Sequence, residues 1–302
     1  IAGSGTAVFK FIQAGFITID GSNSEGTDRS LTISNTISSG TTTVIWIGSN
    51  GTGMGSANNV IKNCIISNGY ATTTSYGVFI GSSTTLGSSG DDNDNFVLSN
   101  NDISRAYRGI WAQASANGMN DNLMITNNDI GSNTPSLSIT NYAIYLAGAN
   151  APLISGNLIK NMINNISSTI CAIELNSNVT NAMITGNSIH DLKSTSSMGP
   201  AVYGINVGTS INVVNATIAN NIIYNITSTQ YAAASTQYNP FGIRIVSGSG
   251  HKLYHNTINM AGTQSPPGTS ASLSAALVFP YPIVSGLDIR NNIFANSIIG
   301  LA

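Results

Sequence analysis

An all-β solenoid of short stacked strands is the fold class that this sequence predicts, and two repeated patterns predict it. The first reads aliphatic, two variable residues, Asn, one variable residue, then Ile or Phe. It occurs eight times, with its Asn at Asn63, Asn101, Asn128, Asn157, Asn187, Asn221, Asn256 and Asn292. The intervals are 38, 27, 29, 30, 34, 35 and 36 residues, so the motif is rigid while the insertions between copies vary. The second pattern is a small residue, an aliphatic, a variable residue and an apolar one, as in Gly77-Val78-Phe79-Ile80 and Gly204-Ile205-Asn206-Val207. The two patterns alternate in strict order, one of each per repeat, which is the signature of a chain that winds and stacks on itself.

In each repeat the apolar residues alternate over only four to six positions, which predicts short strands. No run of ten or more residues carries a helical period. The motif Asn is expected at a bend, because Asn tolerates left-handed backbone better than most residues. Its amide has both a donor and acceptors, so Asn side chains stacked at one strand spacing are expected to bond into a ladder along the axis. The aliphatics on either side point inward. A one-residue slip would turn each strand inside out, which explains why the motif admits no insertion.

In chain order, runs 7–11 and 16–19 read as strands and 20–29 as a loop. Asn35, with Ile33 and Ile37, looks like an irregular first copy of the motif. The Gly/Ser-rich stretches 48–56 and 81–90, and stretch 264–272 with Pro266 and Pro267, are loops rather than linkers, because the repeats continue across them in step. Residues 1–302 are therefore expected to form one domain. The repeats run to Phe294 without an amphipathic capping helix, and the first residue, Ile1, follows no signal-peptide core. These features suit a segment of a longer protein, or ends that meet neighbouring domains or copies of the chain.

Composition excludes several functions. Ten Lys and Arg stand against twelve Asp and Glu, for a net charge of -2, and the basic residues are scattered. No face for nucleic acid is expected, and no apolar run is long enough to span a bilayer. Cys64 and Cys171 sit about three repeats apart, which at about 4.8 Å per stacked strand puts them more than roughly 10 Å apart, so no disulfide and two free thiols are expected. There is no Gly-rich phosphate loop, no Cys/His metal spacing and no Ser nucleophile elbow. His190, His251 and His255 read as surface or turn residues.

The repeated Asn at a tight turn and the Gly-Ile-x-Ile strands resemble the right-handed parallel β-helix superfamily, which includes pectate lyases, polygalacturonases and many bacterial surface proteins. The run Phe16-Ile17-Thr18-Ile19-Asp20-Gly21, with Leu31-Thr32-Ile33-Ser34-Asn35 and Val44-Ile45-Trp46-Ile47, is similar to large secreted β-helical proteins of Bacteroidota-type bacteria. Many of those are exported by the type IX system. The resemblance implies about nine turns of three strands, roughly 40 Å long, in an extracellular or cell-surface protein. It places the Gly-Ile-x-Ile motif on the first sheet and the Asn motif across the second sheet, a two-residue turn and the third sheet. Long loops such as 161–170 and 226–240 then precede the first sheet. In the superfamily's enzymes the outer face of that sheet forms the substrate groove.

Alternation puts the variable residue of the second motif on that outer face. Up the stack the column reads Trp46, Phe79, Trp111, Tyr145, Glu174, Asn206, Arg244, Val278. The four aromatics suit a platform for sugar rings, a protein contact, or packing beneath loops. The small first position of the motif, Gly or Ala in seven of eight copies, permits close approach to the backbone. In a catalytic groove Glu174 would act as acid or base, and Arg244 as anion-binding or proton-abstracting group. The alternative is a solvated ion pair bridged by Asn206. The clustered acids and basic residue of pectate-lyase-like enzymes, and the close Asp set of polygalacturonase-like ones, do not appear on this column. Two acidic pairs recur at equivalent positions: Asp94 with Asp121, and Asp102 with Asp129. With Asp91 and Asp92 nearby, Ca²⁺ is the candidate ion, and outward, hydrated acids are the alternative. The expected function is a non-enzymatic stalk, adhesin or filament module, with contact to polysaccharide through Trp46, Phe79, Trp111, Tyr145 and Asn206 as an added role. A lyase, a hydrolase or a carbohydrate-binding module is the other reading.

Overall fold

The structure is a computed structural model that describes residues 1–302 apart from 73, 199–200, 209–212, 229–236, 265–272, 283 and 301–302. The Pro-bearing stretch thus lies outside the described residues from 265 on, and so does the middle of loop 226–240.

Every strand pair among the described residues is parallel, and each strand bonds to its counterpart one repeat away. One turn runs Ala106–Gln113, Asn120–Asp121, Met124–Thr126, Asp129–Gly131, and the next begins at Ile139–Ala147. Among the described residues, the first sheet gathers the Gly-Ile-x-Ile strands from Phe9–Ile12 to Ala275–Val278, nine in all. The second sheet holds nine strands that precede the motif Asn, and the third holds ten that follow it. These counts are close to the nine turns that the sequence predicts. A fourth sheet was not foreseen: six strands of two residues each, such as Ala149–Asn150 and Val179–Thr180, between the first and second sheets. Two residues are too few for an alternation to show in sequence.

The inward aliphatics form one continuous core that includes Ile61, Leu98, Ile125, Ile154, Ile184, Ile218 and Leu253, all at most 1 % exposed. The ladder stands beside it. The side-chain amide of Asn101 donates to Oδ1 of Asn128, Asn128 to Asn157, Asn157 to Asn187, Asn187 to Asn221, Asn221 to Asn256 and Asn256 to Asn292, all at 2.9–3.0 Å. Each Oδ1 also accepts the backbone N–H of the Asn one turn earlier. The second amide hydrogen reaches a second-sheet carbonyl one turn earlier, as in Asn157 to Ile125 at 2.9 Å. An amide whose donors and acceptor are all satisfied can be buried without the usual desolvation cost.

Three expectations about this corner are corrected. Asn63 is not a rung. Ile61 pairs with Leu98 and Ile66 with Ile103, so Cys64 holds the rung position and donates its N–H to Oδ1 of Asn101 at 3.0 Å. Val60-Ile61 and Ile65-Ile66 offer aliphatics in either frame, so the pattern alone cannot fix the register there. Asn63 bonds instead to Asp20 and accepts from Asn100. Second, the left-handed residue of the bend stands just before the motif Asn: Asn100, Asn127, Gly156, Gly186, Asn220, His255 and Asn291. The motif Asn itself is thereby free to turn its amide inward. Third, Asn35 belongs to another corner, where its amide holds the carbonyls of Gly5 and Thr43.

The small first position of the Gly-Ile-x-Ile motif admits no ligand. A Cβ added at Gly204 would lie 2.5 Å from the Gly242 carbonyl oxygen and 2.8 Å from Cγ2 of Ile223. The close approach is that of the next turn's own backbone and of a third-sheet Ile. Gly204→Val is expected to cost about 2–3 kcal/mol of stability through overpacking. Urea denaturation checks this, and a loss below about 0.5 kcal/mol, the level of an exposed-site change, would show that the position is not tightly enclosed.

Both cysteines are buried and free. His251 is fully buried rather than on the surface. Its Nδ1 accepts the N–H of Ala216 and its Nε2 faces the Ser247 carbonyl, while burial lowers its pKa.

Candidate functional site

The outer column of the first sheet is in register as the alternation places it: Trp46, Phe79, Trp111, Tyr145, Glu174, Asn206, Arg244 and Val278 pair in succession. It does not form an open platform. Trp46, Phe79, Trp111 and Tyr145 are 4, 0, 8 and 8 % exposed. The rings use their faces on one another. Trp111 and Tyr145 stack in parallel with centroids 3.5 Å apart, and Trp46 and Phe79 meet edge to face. The guanidinium of Arg108 lies 4.1 Å over the Trp111 ring and Lys10 lies 3.8 Å over Trp46. Trp46 Nε1 donates to the Ser82 carbonyl at 2.7 Å, and Leu86 packs on the same cluster, so the loop after the strand helps to close it.

A second outward column, missed in the sequence, does much of this covering. Tyr76, Arg108, Tyr142, Cys171, Tyr203 and Phe241 pair in succession three residues before the first column. A spacing of three should put two residues on opposite faces of a regular strand. Here the pairing skips the small residue between them, for example Gly77 and Gly109 between the pairs Tyr76–Arg108 and Val78–Ile110. The pairing is interrupted there, and the rings of both columns meet on the same face, as in Tyr76 with Phe79 and Tyr142 with Tyr145. The available signal was the aromatic at this position in four repeats.

The polar trio is also enclosed. Glu174 and Asn206 are each 1 % exposed and Arg244 is 5 % exposed. The Asn206 amide donates to both carboxylate oxygens of Glu174 at 2.9 Å, and Arg244 Nη1 donates to Asn206 Oδ1 at 3.1 Å. Asn206 thus bridges Glu174 and Arg244, but the arrangement is buried rather than solvated. Burial pushes the Glu174 carboxyl up to about 7, against the opposing bonds from Asn206 and Cys171 and the charge of Arg244. Burial and the neighbouring Glu174 charge raise the Cys171 thiol well above its usual value, so it stays protonated and a weak nucleophile. The three side chains thus form a hydrogen-bonded chain in which none is more than 5 % exposed.

The acidic pairs lie elsewhere. Asp94 accepts the Asp121 backbone N–H at 2.8 Å; burial raises its pKa, as do the charges of Asp121 and Asp92. Asp102 and Asp129 pair directly across the third sheet. Lys160 meets Asp129 at 2.8 Å, and burial followed by the Asp129 charge raises Asp102. Among the described residues no three His, Cys, Asp or Glu side chains converge. A Ca²⁺ ion takes six to eight oxygens; in the first pair one Asp94 oxygen already accepts a backbone N–H, and in the second one Asp129 oxygen already holds the Lys160 ammonium. Beside Asp102 and Asp129 the third sheet carries an open cavity of about 350 Å³, lined also by Leu137 at the end of the 3₁₀ turn Pro135–Leu137.

No family model and no curated protein matches the chain. Solved structures do. The surface adhesin PfbA of Streptococcus pneumoniae aligns at 12 % identity over 88 % of this chain and 69 % of its own, with a TM-score of 0.43. The periplasmic alginate epimerase AlgG aligns at 11 % identity over 95 % of this chain and 70 % of its own, with a TM-score of 0.41. An alginate lyase from a Paenibacillus species aligns at 12 % identity over 93 % and 90 %, with a TM-score of 0.30. No helix among the described residues is long and apolar enough to cross a membrane. With every described strand pair parallel and every repeat stacked on the next, the chain is a parallel β-helix repeat protein.

Proposed function

We propose that the chain is a non-enzymatic structural or adhesive module, a rigid stalk or filament component that works outside the cell or on its surface. The observation that carries this reading is the closed outer face of the first sheet. Its aromatics stack on one another, and Glu174 and Arg244, the two groups that would do chemistry there, are buried on either side of Asn206. A catalytic acid or base must reach a proton of its substrate within hydrogen-bond distance. The unbroken amide ladder and core favour rigidity along the axis. Neighbouring domains or further copies would meet exposed strand edges such as the one bearing Ile293 and Ile299.

A polysaccharide-depletion assay with neutral and uronate polymers tests the reading, run with and without EDTA. No new reducing ends and no unsaturated uronate absorbance are expected. Product release that Glu174→Gln abolishes would replace the stalk with an enzyme.

A further inference from the structure

The second sheet presents an outer face that the function above does not use. Its strands are three residues long, and the middle residue of each points into the core. The other two point outward and form two columns in register. One column is apolar: Val60, Val97, Met124, Leu153 and Met183. Met124 and Met183 are 39 and 48 % exposed, and the other three are half-buried. The second column is small and mostly polar: Ser99, Thr126, Ser155 and Thr185, then Ala219. From the strand of Val97 to that of Thr217 neither column carries a charge. The left-handed bends on either side of these strands, such as Asn122 and Asn127, carry none either. A contiguous apolar stripe on an uncharged face marks an interaction surface.

The order of residues along the columns makes this face complementary to itself. A second copy laid face to face, with its axis reversed and its strands running the same way, sets each column on its own counterpart. Leu153 and Ser155 stand on the fifth of nine strands, so they fall at the two-fold axis. Met124 then meets the partner's Met183, and Thr126 meets the partner's Thr185. At the rim opposite charges meet: Asp20 on the first strand faces the partner's Arg290 on the last, a side chain that is 69 % exposed. Lys62 stays on its own Asp20 and faces the partner's Tyr254, while the stem of Lys252 covers the partner's Val60. Parallel axes would instead set apolar residues on hydroxyls, with Leu153 against Ser155. The face is about 17 Å wide between the bends at Asn122 and Asn127 and about 38 Å long over nine strands, so two copies cover roughly 1,300 Å² in all. That area lies just above the ~1,000 Å² that a specific interface needs. We infer that the second sheet is a self-association surface on which two copies pair antiparallel about Leu153 in a weak, reversible dimer. The apolar column forms the centre and the charged end strands form the rim. The pairing goes beyond the stalk proposed above, because it is lateral rather than end to end, and it stands whether or not the chain is an enzyme.

Sedimentation velocity of the full chain from about 1 µM to about 1 mM tests the pairing, and a monomer–dimer equilibrium with a dissociation constant on the order of 10–100 µM is expected. Leu153→Lys sets two ammonium groups against each other at the two-fold axis and is expected to weaken the dimer about tenfold or more. The position points outward, so the circular dichroism and urea midpoint of this variant are expected to match the wild type. Met124→Glu alone and Met183→Lys alone are each expected to weaken the dimer about tenfold, since each buries an unpaired charge. Both changes in one chain are expected to bring the affinity back to within about threefold, because every Glu then faces a partner Lys. Failure of the double variant to recover would overturn the antiparallel register. A dimer that ignores all these variants, or a chain that stays monomeric throughout, would overturn the assignment. Growth past the dimer that Leu153→Lys leaves unchanged would place the contact at exposed strand edges instead. Capture of a monomeric chain on crystalline cellulose or chitin, lost in Leu153→Lys, would make the face a glycan surface in place of a dimer contact. The stalk reading is decided separately, by the depletion assay.

Discussion

Asn157→Ala is expected to lower folding stability by about 4 kcal/mol, as a buried rung of the ladder interior. The side chain is 1 % exposed and sits mid-stack. Its removal takes the acceptor from the Asn128 backbone N–H and from one Asn128 amide hydrogen. It also takes the donor from the Ile125 carbonyl and one of two donors from Asn187 Oδ1. Each buried group left unpaired costs about 1–3 kcal/mol, and water cannot enter so tight a stack to replace the bond. Asn292→Ala makes the same chemical change at the last described rung, which is partly exposed. Water can serve there, and about 1 kcal/mol is expected. Urea denaturation of both variants checks the contrast. Equal losses at the two sites would mean that the ladder owes nothing to burial.

Glu174 is expected to make the protein less stable as pH rises from 5 to 8, by about 3 kcal/mol. Burial lifts the folded-state carboxyl from 4.5 to about 7, so the native state binds the proton more tightly than the unfolded chain does. That stabilisation is complete below pH 4.5 and is lost as pH climbs through 7. The groups around the carboxyl are the Asn206 amide, Arg244 beyond it, the Cys171 thiol and the rings of Tyr142, Tyr145 and Tyr203. Burial raises Cys171 and all three tyrosines, so none of them titrates in this window. His251 is buried, and its lowered pKa works in the other sense: its stability term falls away as pH drops below the unfolded-state value of 6.5, so it opposes the Glu174 slope in the acid half of this window. Glu174→Gln keeps the shape and one carbonyl acceptor for Asn206, and it is expected to flatten the slope between pH 5 and 8. A fall in stability with rising pH that survives in Glu174→Gln would place the titrating group elsewhere.

Much of the site's layout was legible because period-two alternation in a stacked fold leaves little freedom. Trp46 to Val278 stand in one register column because each short strand has one inward face. What the alternation could not convey is depth. Whether Trp111 lies under solvent or against Tyr145, Tyr142 and Arg108 depends on a second column that reaches the same face where the pairing skips a small residue. The bend residue was also within reach of the sequence, since Asn, Gly or His precedes the motif Asn at every left-handed bend from Asn100 onward. The cavity at Asp102, Asp129 and Lys160 was visible only as an acidic pair. Lys160 enters it from the next turn, and Leu137 from a loop of variable length.

By itself, then, the sequence determined the winding. Inward aliphatics and the buried Asn of each repeat have one low-energy arrangement, because a slipped strand would bury polar groups without partners and expose the core. Only the tertiary structure decided the frame at Asn63, where Cys64 takes the rung, since adjacent aliphatics satisfy the core equally in both frames. It also decided which surfaces are open. Exposure is a property of neighbouring turns and the loops between them, and these are the parts in which the repeats differ.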